Sequence, residues 1–254
     1  MSRAKVWFIG GGPGASDLLT VRAARVMAEA DIVIWGKALL TEAVVADHAR
    51  ADAQLLPWPP ATMSDIYAAY DRARAEDLVV ARLFWGDPAI FGAVRDEARE
   101  ARERGVPVEV VPGVSSLGAL AAALGRELTT APGGSPPLIL AALRDDPPAG
   151  ERIRDLAGHG ATMALFMSGK HADELQAELL GGGFAPETPC AVGSRVSWAD
   201  EVVLTCRLDE LAAAIASVRS SATRWSSSGP RWARRAPASR SCWPPRRRLR
   251  ASSA

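Results

Sequence analysis

Residues 5–34 read KVWFIGGGPGASDLLTVRAARVMAEADIVI, and this stretch decides the fold. A short apolar run, Val6–Ile9, is followed by a glycine-rich turn, an amphipathic segment at Leu18–Ala30 and a second apolar run at Ile32–Trp35. Short, continuously apolar runs are typical of strands buried on both faces of a parallel sheet. The stretch therefore predicts a strand, a crossover helix and a second, parallel strand.

The same alternation continues to about Thr129. It predicts two more strands, at Val79–Phe84 and Val108–Val111, and three more helices, at Met63–Ala75, Ile90–Arg104 and Leu117–Leu124. Successive strand and helix units of this kind favour a mostly parallel sheet with helices on both faces. We expect an N-terminal α/β domain over residues 1–130.

A cluster of prolines and glycines between residues 129 and 148 predicts a hinge. Beyond it the alternation resumes, with strands predicted at Leu138–Leu143, Met163–Met167, Cys190–Val192 and Glu201–Thr205, and helices at Gly150–Leu156, Ala172–Leu180 and Leu208–Val218. The predicted fold class is therefore α/β, with two α/β domains, the second over residues 135–218.

Residues 219–254 form a tail of different composition, with ten arginines and no acid, whereas residues 1–218 carry 20 basic and 29 acidic side chains. The tail has no apolar period, so one interpretation is a disordered basic arm. Another is a change of reading frame near residue 220, since G- and C-rich codons for Arg224–Trp232, shifted by two nucleotides, encode the strand-like Leu-Val-Val-Val-Gly-Pro-Ala-Leu. A genuine structural element is the third.

Composition argues against several other classes of protein. Cys190, Cys206 and Cys242 form no CxxC pair and the histidines have no metal-ligand spacing, so we expect reduced thiols and no metal. No apolar run approaches the ~20 residues of a membrane span and no signal peptide is evident, so we expect a cytoplasmic protein without a membrane partner. The acidic excess of residues 1–218 argues against nucleic acid as a partner.

The turn Gly10–Ala15 follows a strand and precedes a helix, and on its own it matches the G-x-G-x-x-A pattern of dinucleotide-binding loops. Two details argue against a nicotinamide dinucleotide. Pro13 has no N–H to offer a pyrophosphate, and the second strand ends in Trp35-Gly36-Lys37 without an acid for the ribose. A purely structural tight turn is the other alternative.

A second motif, Trp85–Gly92, comes directly after the strand Val79–Phe84. It therefore belongs to the carboxyl edge of the sheet, where open α/β sheets bind their ligands. Gly86 permits close approach of the backbone, and the Asp87 carboxylate suits ribose hydroxyls or an amino group. The alternative is that Asp87 caps the next helix.

A third motif, Pro112-Gly113-Val114-Ser115-Ser116, also follows a strand and precedes a helix. Its two hydroxyls could bind a polar ligand at the same edge of the sheet, or cap the helix that begins near Leu117.

Taken together, the three motifs resemble the tetrapyrrole (corrin/porphyrin) methylase family. GGGPGASDLLTVRAARVMAEADIVI is similar to the family's opening element, WGDPAIFG to its Gly-Asp-Pro loop and VPGVSS to its Pro-Gly-Val turn; ATMALFMS, TPCAV and VSWADEVVLTCRL extend the resemblance over residues 5–218. Within the family, ALGRELT and SWADE most resemble the precorrin-4 C(11)-methyltransferases. Trp35–Leu39 and Trp85 depart from the family pattern, and a final strand is missing.

The resemblance implies that S-adenosylmethionine binds in the cleft between two α/β domains, in a homodimer. The cofactor contacts that it implies are Pro13, Trp85, Gly86, Asp87, Ile90, Ser115, Ser116, Met167 and the Arg195–Val196 backbone. Gly12 would lie on the side of a tetrapyrrole substrate, and Arg126 and Arg195 are the candidate cations for its carboxylates. We name no catalytic residue, because displacement at a sulfonium methyl requires alignment more than a base.

The expected reaction is methylation of precorrin-4 or cobalt-precorrin-4 at carbon 11, in cobalamin biosynthesis. One alternative is another methyltransferase of the same fold, acting on uroporphyrinogen, a different precorrin or ribosomal RNA. The other is a nucleotide-binding module without transferase activity.

Overall fold

A computed structural model of the chain describes residues 2–130, 134–166 and 168–221. Its first region is one parallel sheet of five strands in the order β3-β2-β4-β1-β5. The strands are β1 (Lys5–Gly10), β2 (Ile32–Gly36), β3 (Gln54–Trp58), β4 (Val79–Phe84) and β5 (Val108–Val111).

Helices cover both faces of this sheet because alternate strand residues point to opposite sides. Val6 and Phe8 belong to one buried cluster and Ile9 to the other. The helices are α1 (Val21–Glu29), α2 (Glu42–Ala46), α3 (Met63–Glu76), α4 (Val94–Glu103) and α5 (Ser116–Leu124). The parallel α/β architecture predicted from the sequence is confirmed.

Two elements of this region were not predicted, and two helices begin later than predicted. Strand β3 and helix α2 were not predicted; β3 contains Pro57, which an edge strand tolerates because one side of it makes no ladder hydrogen bonds. Helix α1 begins at Val21 rather than Leu18, since the Thr20 hydroxyl accepts a hydrogen bond from the Ala23 amide and caps it there. Helix α4 begins at Val94 rather than Ile90, because Phe91 and Ala93 have positive φ.

The second region contains two small sheets that share one buried cluster. Strands β6 (Leu138–Ala142) and β7 (Thr162–Phe166) are parallel, and β8 (Pro189–Ser194) and β9 (Val202–Arg207) are antiparallel. Three helices pack on them, α6 (Ile153–Ala157), α7 (Ala172–Gly181) and α8 (Leu211–Ser221). The strands and helices predicted here are present with small shifts of their ends, and the domain limits 1–130 and 135–218 stay predictions.

Two predictions concern residues outside the described part of the chain. Met167 is one of them, and residues 222–254 of the arginine-rich tail are the other; helix α8 itself runs three residues past the predicted limit of 218. Within the described residues, no helix is long and apolar enough to cross a membrane. The same residues include no group of three or more histidine, cysteine or acidic side chains that could hold a metal ion.

Candidate functional site

The loops that follow β1, β4 and β5 meet at the carboxyl edge of the five-stranded sheet. Gly12 and Gly86 form an isolated bridge in which the Gly86 amide donates to the Gly12 carbonyl at 2.8 Å and the Gly12 amide to the Gly86 carbonyl at 3.3 Å. A Cβ on Gly10 would overlap the Cα of Gly113 and lie 2.8 Å from the Gly86 oxygen. Glycine is therefore required where the three backbones touch.

Asp87 ties two of these loops together. Its Oδ1 accepts a hydrogen bond from the Ala89 amide at 2.7 Å, and its Oδ2 accepts one from the Gly113 amide at 2.9 Å. The first bond closes a local turn and does not cap α4, whose N-cap is Ala93. The second bond joins the loop after β4 to the loop after β5. Since each carboxylate oxygen has two acceptor sites, both oxygens can accept a further hydrogen bond from a ligand.

The serines of the third loop lie beside Gly86. A Cβ built on Gly86 would lie 3.5 Å from the Ser116 amide nitrogen and 3.7 Å from the Ser115 Cα, which is ordinary contact. The Ser115 hydroxyl oxygen accepts a hydrogen bond from the Leu117 amide at 3.2 Å, so Ser115 caps α5. That bond leaves its O–H free to donate, so capping and ligand binding are compatible.

The glycine loop after β1 is not arranged as a phosphate cradle. The Gly11 and Gly12 amides donate to the carbonyls of Phe84 and Gly86, and the Ala15 amide donates to the Ser197 hydroxyl at 3.0 Å. Pro13 has no N–H. Because protein groups accept from these amides, a pyrophosphate would find few donors, which argues against the dinucleotide interpretation of the loop.

The segment between β8 and β9 reaches across from the second region and contacts the glycine loop. The Trp198 indole N–H donates to the Pro13 carbonyl at 3.0 Å, in addition to the bond between Ala15 and Ser197. Arg195 and Val196 of this segment were predicted as ligand contacts, whereas Ser197 and Trp198 contributed only to the family resemblance. A tryptophan in an otherwise polar turn between two strands was the signal that could have identified it.

A second contact between the regions joins two aromatic side chains. The rings of Phe91, in the loop after β4, and Phe166, at the end of β7, have centroids 5.0 Å apart and are tilted by 42°. Ile90 lies in the same loop, and its amide donates to the Asp87 carbonyl at 3.1 Å. Carboxyl ends of strands from both regions thus face the same space.

The remaining predicted site residues have different surroundings. Val196 is 8% exposed. The Arg195 side chain pairs with Asp200 at 3.0 Å and lies over the Trp198 ring at 4.3 Å, so it is engaged in structural contacts. Arg126 is exposed, directly after the Gly125 cap that ends α5. A nine-residue helix is ~14 Å long, so the structure does not bring Arg126 to the three loops.

A cavity of about 250 Å³ opens next to the loops, at the carboxyl ends of β2, β3 and β4. Its lining includes Trp58, Tyr67, Arg82, Phe84, Trp85 and Glu97. Trp85 and Gly92 belong to the loop after β4 and also line the cavity. Among these residues only Trp85 was predicted, because the others are spread over four elements whose proximity depends on the sheet order. A groove of about 410 Å³ between α7 and α8 is lined by none of the loop residues.

A buried ion pair forms the floor of this cavity. Arg82 and Glu97 are 6% and 8% exposed, and the Arg82 Nε lies 2.7 Å from Glu97 Oε1. The Tyr70 hydroxyl donates to the same carboxylate at 2.5 Å. Burial, and then the charge of Glu97, raise the pKa of Tyr70 far above its usual value, so the phenol keeps its proton. The pair is therefore fully satisfied by neighbouring side chains.

A family of known proteins and an individual relative both match most of this chain. The family described as Tetrapyrrole (Corrin/Porphyrin) Methylases matches residues 5–212. The precorrin-4 C(11)-methyltransferase of Rhodococcus erythropolis is 37% identical over 210 residues, which are 82% of this chain and 83% of that protein.

Solved structures that are similar to this chain include enzymes of the same kind. A cobalamin biosynthetic enzyme, cobalt precorrin-4 methyltransferase, has a TM-score of 0.79 and 31% identity over 86% of this chain and 91% of its own. Uroporphyrin-III C-methyltransferase from Thermus thermophilus, complexed with S-adenyl homocysteine, has a TM-score of 0.66 and 28% identity over 83% and 86%.

Proposed function

This chain belongs to the tetrapyrrole methylase family, and from that premise we propose that it transfers a methyl group from S-adenosylmethionine to carbon 11 of precorrin-4 or cobalt-precorrin-4, in cobalamin biosynthesis. Proteins similar to it over about four fifths of its length are enzymes named for this reaction. One structural observation carries the proposal furthest. Three loops with glycines at their contacts converge at the carboxyl edge of a parallel sheet, where open α/β sheets bind ligands.

The residues at this edge suit the donor. When bound, S-adenosylmethionine supplies an electrophilic methyl group on a sulfonium cation. Asp87 offers negative charge and spare acceptor sites, and the Ser115 hydroxyl offers a donor. With Trp85, Gly86, Ile90, Ser116, Pro13 and the Val196 backbone, these residues form our proposed donor site, and Met167 is proposed on the resemblance alone.

The adjacent cavity has a size that would hold one edge of the tetrapyrrole that accepts the methyl group. At about 250 Å³ it is smaller than the ~300–1,000 Å³ typical of small-molecule sites, so it would take part of a tetrapyrrole and not the whole macrocycle. The aromatic rings of Trp58, Tyr67 and Trp85 present flat apolar surfaces to it. Gly12, Arg126 and Arg195 remain proposed substrate contacts, although the structure already pairs Arg195 with Asp200.

The protein's part in the chemistry is alignment. An electron-rich ring carbon attacks the methyl group in line, and holding the two reactants in the correct geometry supplies most of the rate. Trp85 borders the acceptor cavity while its neighbours Gly86 and Asp87 lie at the donor loops, so one short loop sets the distance between the partners. The aromatic pair Phe91 and Phe166 joins this loop to the second region.

We further propose a cytoplasmic homodimer with no nucleic-acid partner. The acidic excess of residues 1–218 disfavours contact with a phosphate backbone. The homodimer rests on the family resemblance.

Calorimetry with S-adenosylhomocysteine and with NAD, followed by a methyl-transfer assay on a panel of precorrin intermediates, tests this function. We expect binding of S-adenosylhomocysteine, no binding of NAD, and transfer to precorrin-4 or its cobalt form. Binding of NAD instead, or no transfer to any intermediate, would overturn the proposal.

Asp87→Ala should weaken S-adenosylhomocysteine binding by ~1–3 kcal/mol, because a charge-assisted hydrogen bond and the tie to Gly113 are both lost. Glu103→Ala, at an exposed acid near the end of α4, is the matched control and should bind normally. If Asp87→Ala is folded and binds as the parent does, Asp87 does not belong to the donor site.

A further inference from the structure

The turn between β8 and β9, residues 195–201, holds the glycine loop at two residues, one on each side of Gly14. The Trp198 indole N–H donates to the Pro13 carbonyl and the Ser197 hydroxyl accepts from the Ala15 amide, each at 3.0 Å. These two bonds join residues 185 and 182 positions apart in the chain. We call residues 195–201 the latch.

The glycine between those two bonds is shaped to receive the latch. A Cβ on Gly14 would overlap the indole ring of Trp198, and Gly14 has a φ of +150° that other residues rarely adopt. The ring therefore lies directly on the backbone of the glycine loop. The Thr41 hydroxyl, which belongs to the first region, also donates to the Gly14 carbonyl at 2.7 Å. The loop is thus held between the first region and the latch.

The latch is itself held in an uncommon conformation. Arg195 and Ser197 both have positive φ, 50° and 72°, which costs energy for residues with side chains. Other contacts compensate for this cost: the Arg195 guanidinium lies over the Trp198 ring, and the Ser197 amide donates to the Glu201 carboxylate at 2.6 Å. Local strain of this kind persists only where the surroundings hold it, and it concentrates at functional sites.

We propose that Trp198 is a positioning residue for methyl transfer, acting through Pro13 and Gly14; this rests on the proposed function. The glycine loop bonds directly to Gly86 in the loop of the proposed donor site, so its position fixes one wall of that site. The latch is the polar contact by which the second region sets that position. Misplacement of reacting groups by about 1 Å can cost ~100-fold in rate.

Steady-state kinetics of Trp198→Ala and Trp198→Phe test the role in the reaction. Trp198→Ala should lower kcat by about 10- to 100-fold and change KM for S-adenosylmethionine less than about threefold, because the side chain acts on alignment. Trp198→Phe should retain most of kcat, since its ring still lies on Gly14. Trp7→Phe, at a half-buried tryptophan on β1 beside Lys5, is the matched control and should not change either constant. An unchanged kcat in Trp198→Ala, or a loss confined to KM, overturns the proposal.

Amide hydrogen exchange tests the latch without any substrate. In Trp198→Ala and Ser197→Ala, the Ala15 amide should exchange at least about tenfold faster than in the parent, because its acceptor is displaced or lost. Unchanged exchange at Ala15 overturns the latch even if activity falls. If the parent chain transfers no methyl group while Ala15 responds as expected, the proposed function fails and the latch itself stands.

Discussion

The two regions of this protein differ in the size of their buried clusters. In the first, β2 is buried along its whole length and the sheet separates two clusters of 13 buried residues each. In the described part of the second, one cluster of eight buried residues serves two small sheets, and no residue of β8 is fully buried. The first region can thus form a rigid platform alone, whereas the placement of the second depends on contacts such as the latch.

This difference is instructive for an enzyme that must align two partners. A site on a rigid sheet edge keeps its own loops in register, and the opposite wall is added by a thinner unit held at a few points. Stability and alignment therefore depend on different residues. The following measurements compare matched positions in the two regions.

The largest expected difference concerns two arginine–glutamate pairs. Glu97→Leu should cost ~3–5 kcal/mol, because it leaves the Arg82 charge buried and unpaired. Glu178→Leu, which breaks the more exposed pair with Arg154, should cost only ~0–1 kcal/mol. Urea unfolding of each variant measures this.

The double variant Arg82→Leu/Glu97→Leu is the control for that experiment. It should recover most of the loss, since no uncompensated charge remains. Equal losses for Glu97→Leu and Glu178→Leu would show that the two regions are equally well packed.

A smaller difference is expected for apolar residues at the centres of strands. Ile34 in β2 is fully buried, so Ile34→Ala should destabilise by ~2–5 kcal/mol through the cavity that it leaves. Leu140 in β6 is 40% exposed, and Leu140→Ala should cost less than about 1 kcal/mol because little apolar area returns to water. Thermal unfolding compares them. A costly Leu140→Ala would mean that a surface absent from this structure covers β6.

The smallest effect tests whether the thinner region still excludes water. Cys190 and Cys206 lie opposite each other in β8 and β9. Burial, and then the neighbouring Cys206, raise the pKa of Cys190 from 9.0 to about 11. Alkylation of Cys190 should therefore keep accelerating up to about pH 11, whereas the rate at an unfolded thiol levels off above its pKa of 9.0.

The raised pKa of Cys190 also makes the stability of the fold depend on pH. Between pH 9.0 and about 11 the unfolded chain releases this proton and the folded chain keeps it, so stability falls as pH rises through that window. Cys206→Ala should lower the pKa of Cys190, because one of its two causes is removed. An ordinary pKa at Cys190 in the parent would show that water reaches β8 freely.

Much of the fold was predictable from local patterns in the sequence. Strand β5 has the predicted limits, Val108–Val111, because valines favour a strand even at the edge of the sheet, where only Val111 of the four is buried. Strand β3 was missed because Pro57 is a signal against a strand, and only its place at the sheet edge makes this proline tolerable. Helix α4 was started too early because positive φ at Phe91 and Ala93 leaves no periodic signal.

The candidate site was likewise predictable only in part. Convergence of the loops after β1, β4 and β5 was predictable, since the carboxyl ends of parallel strands share one edge of a sheet. The contact of Trp198 with Pro13 was not, because it joins residues 185 positions apart and depends on how the two regions meet. The pairing of Cys190 with Cys206 likewise follows from the register of β8 and β9, which no spacing rule for cysteines contains.

The sequence by itself determined the repeated strand and helix units, the glycines that let backbones touch and the family to which the chain belongs, because apolar period and motif spacing are local properties. Tertiary structure alone decided which distant polar groups meet: Asp87 accepts from the Gly113 amide, Trp198 donates to the Pro13 carbonyl, and Arg82 pairs with Glu97. The physical reason is that a hydrogen bond or an ion pair needs its partner within about 3–4 Å, and folding brings those partners from other parts of the chain.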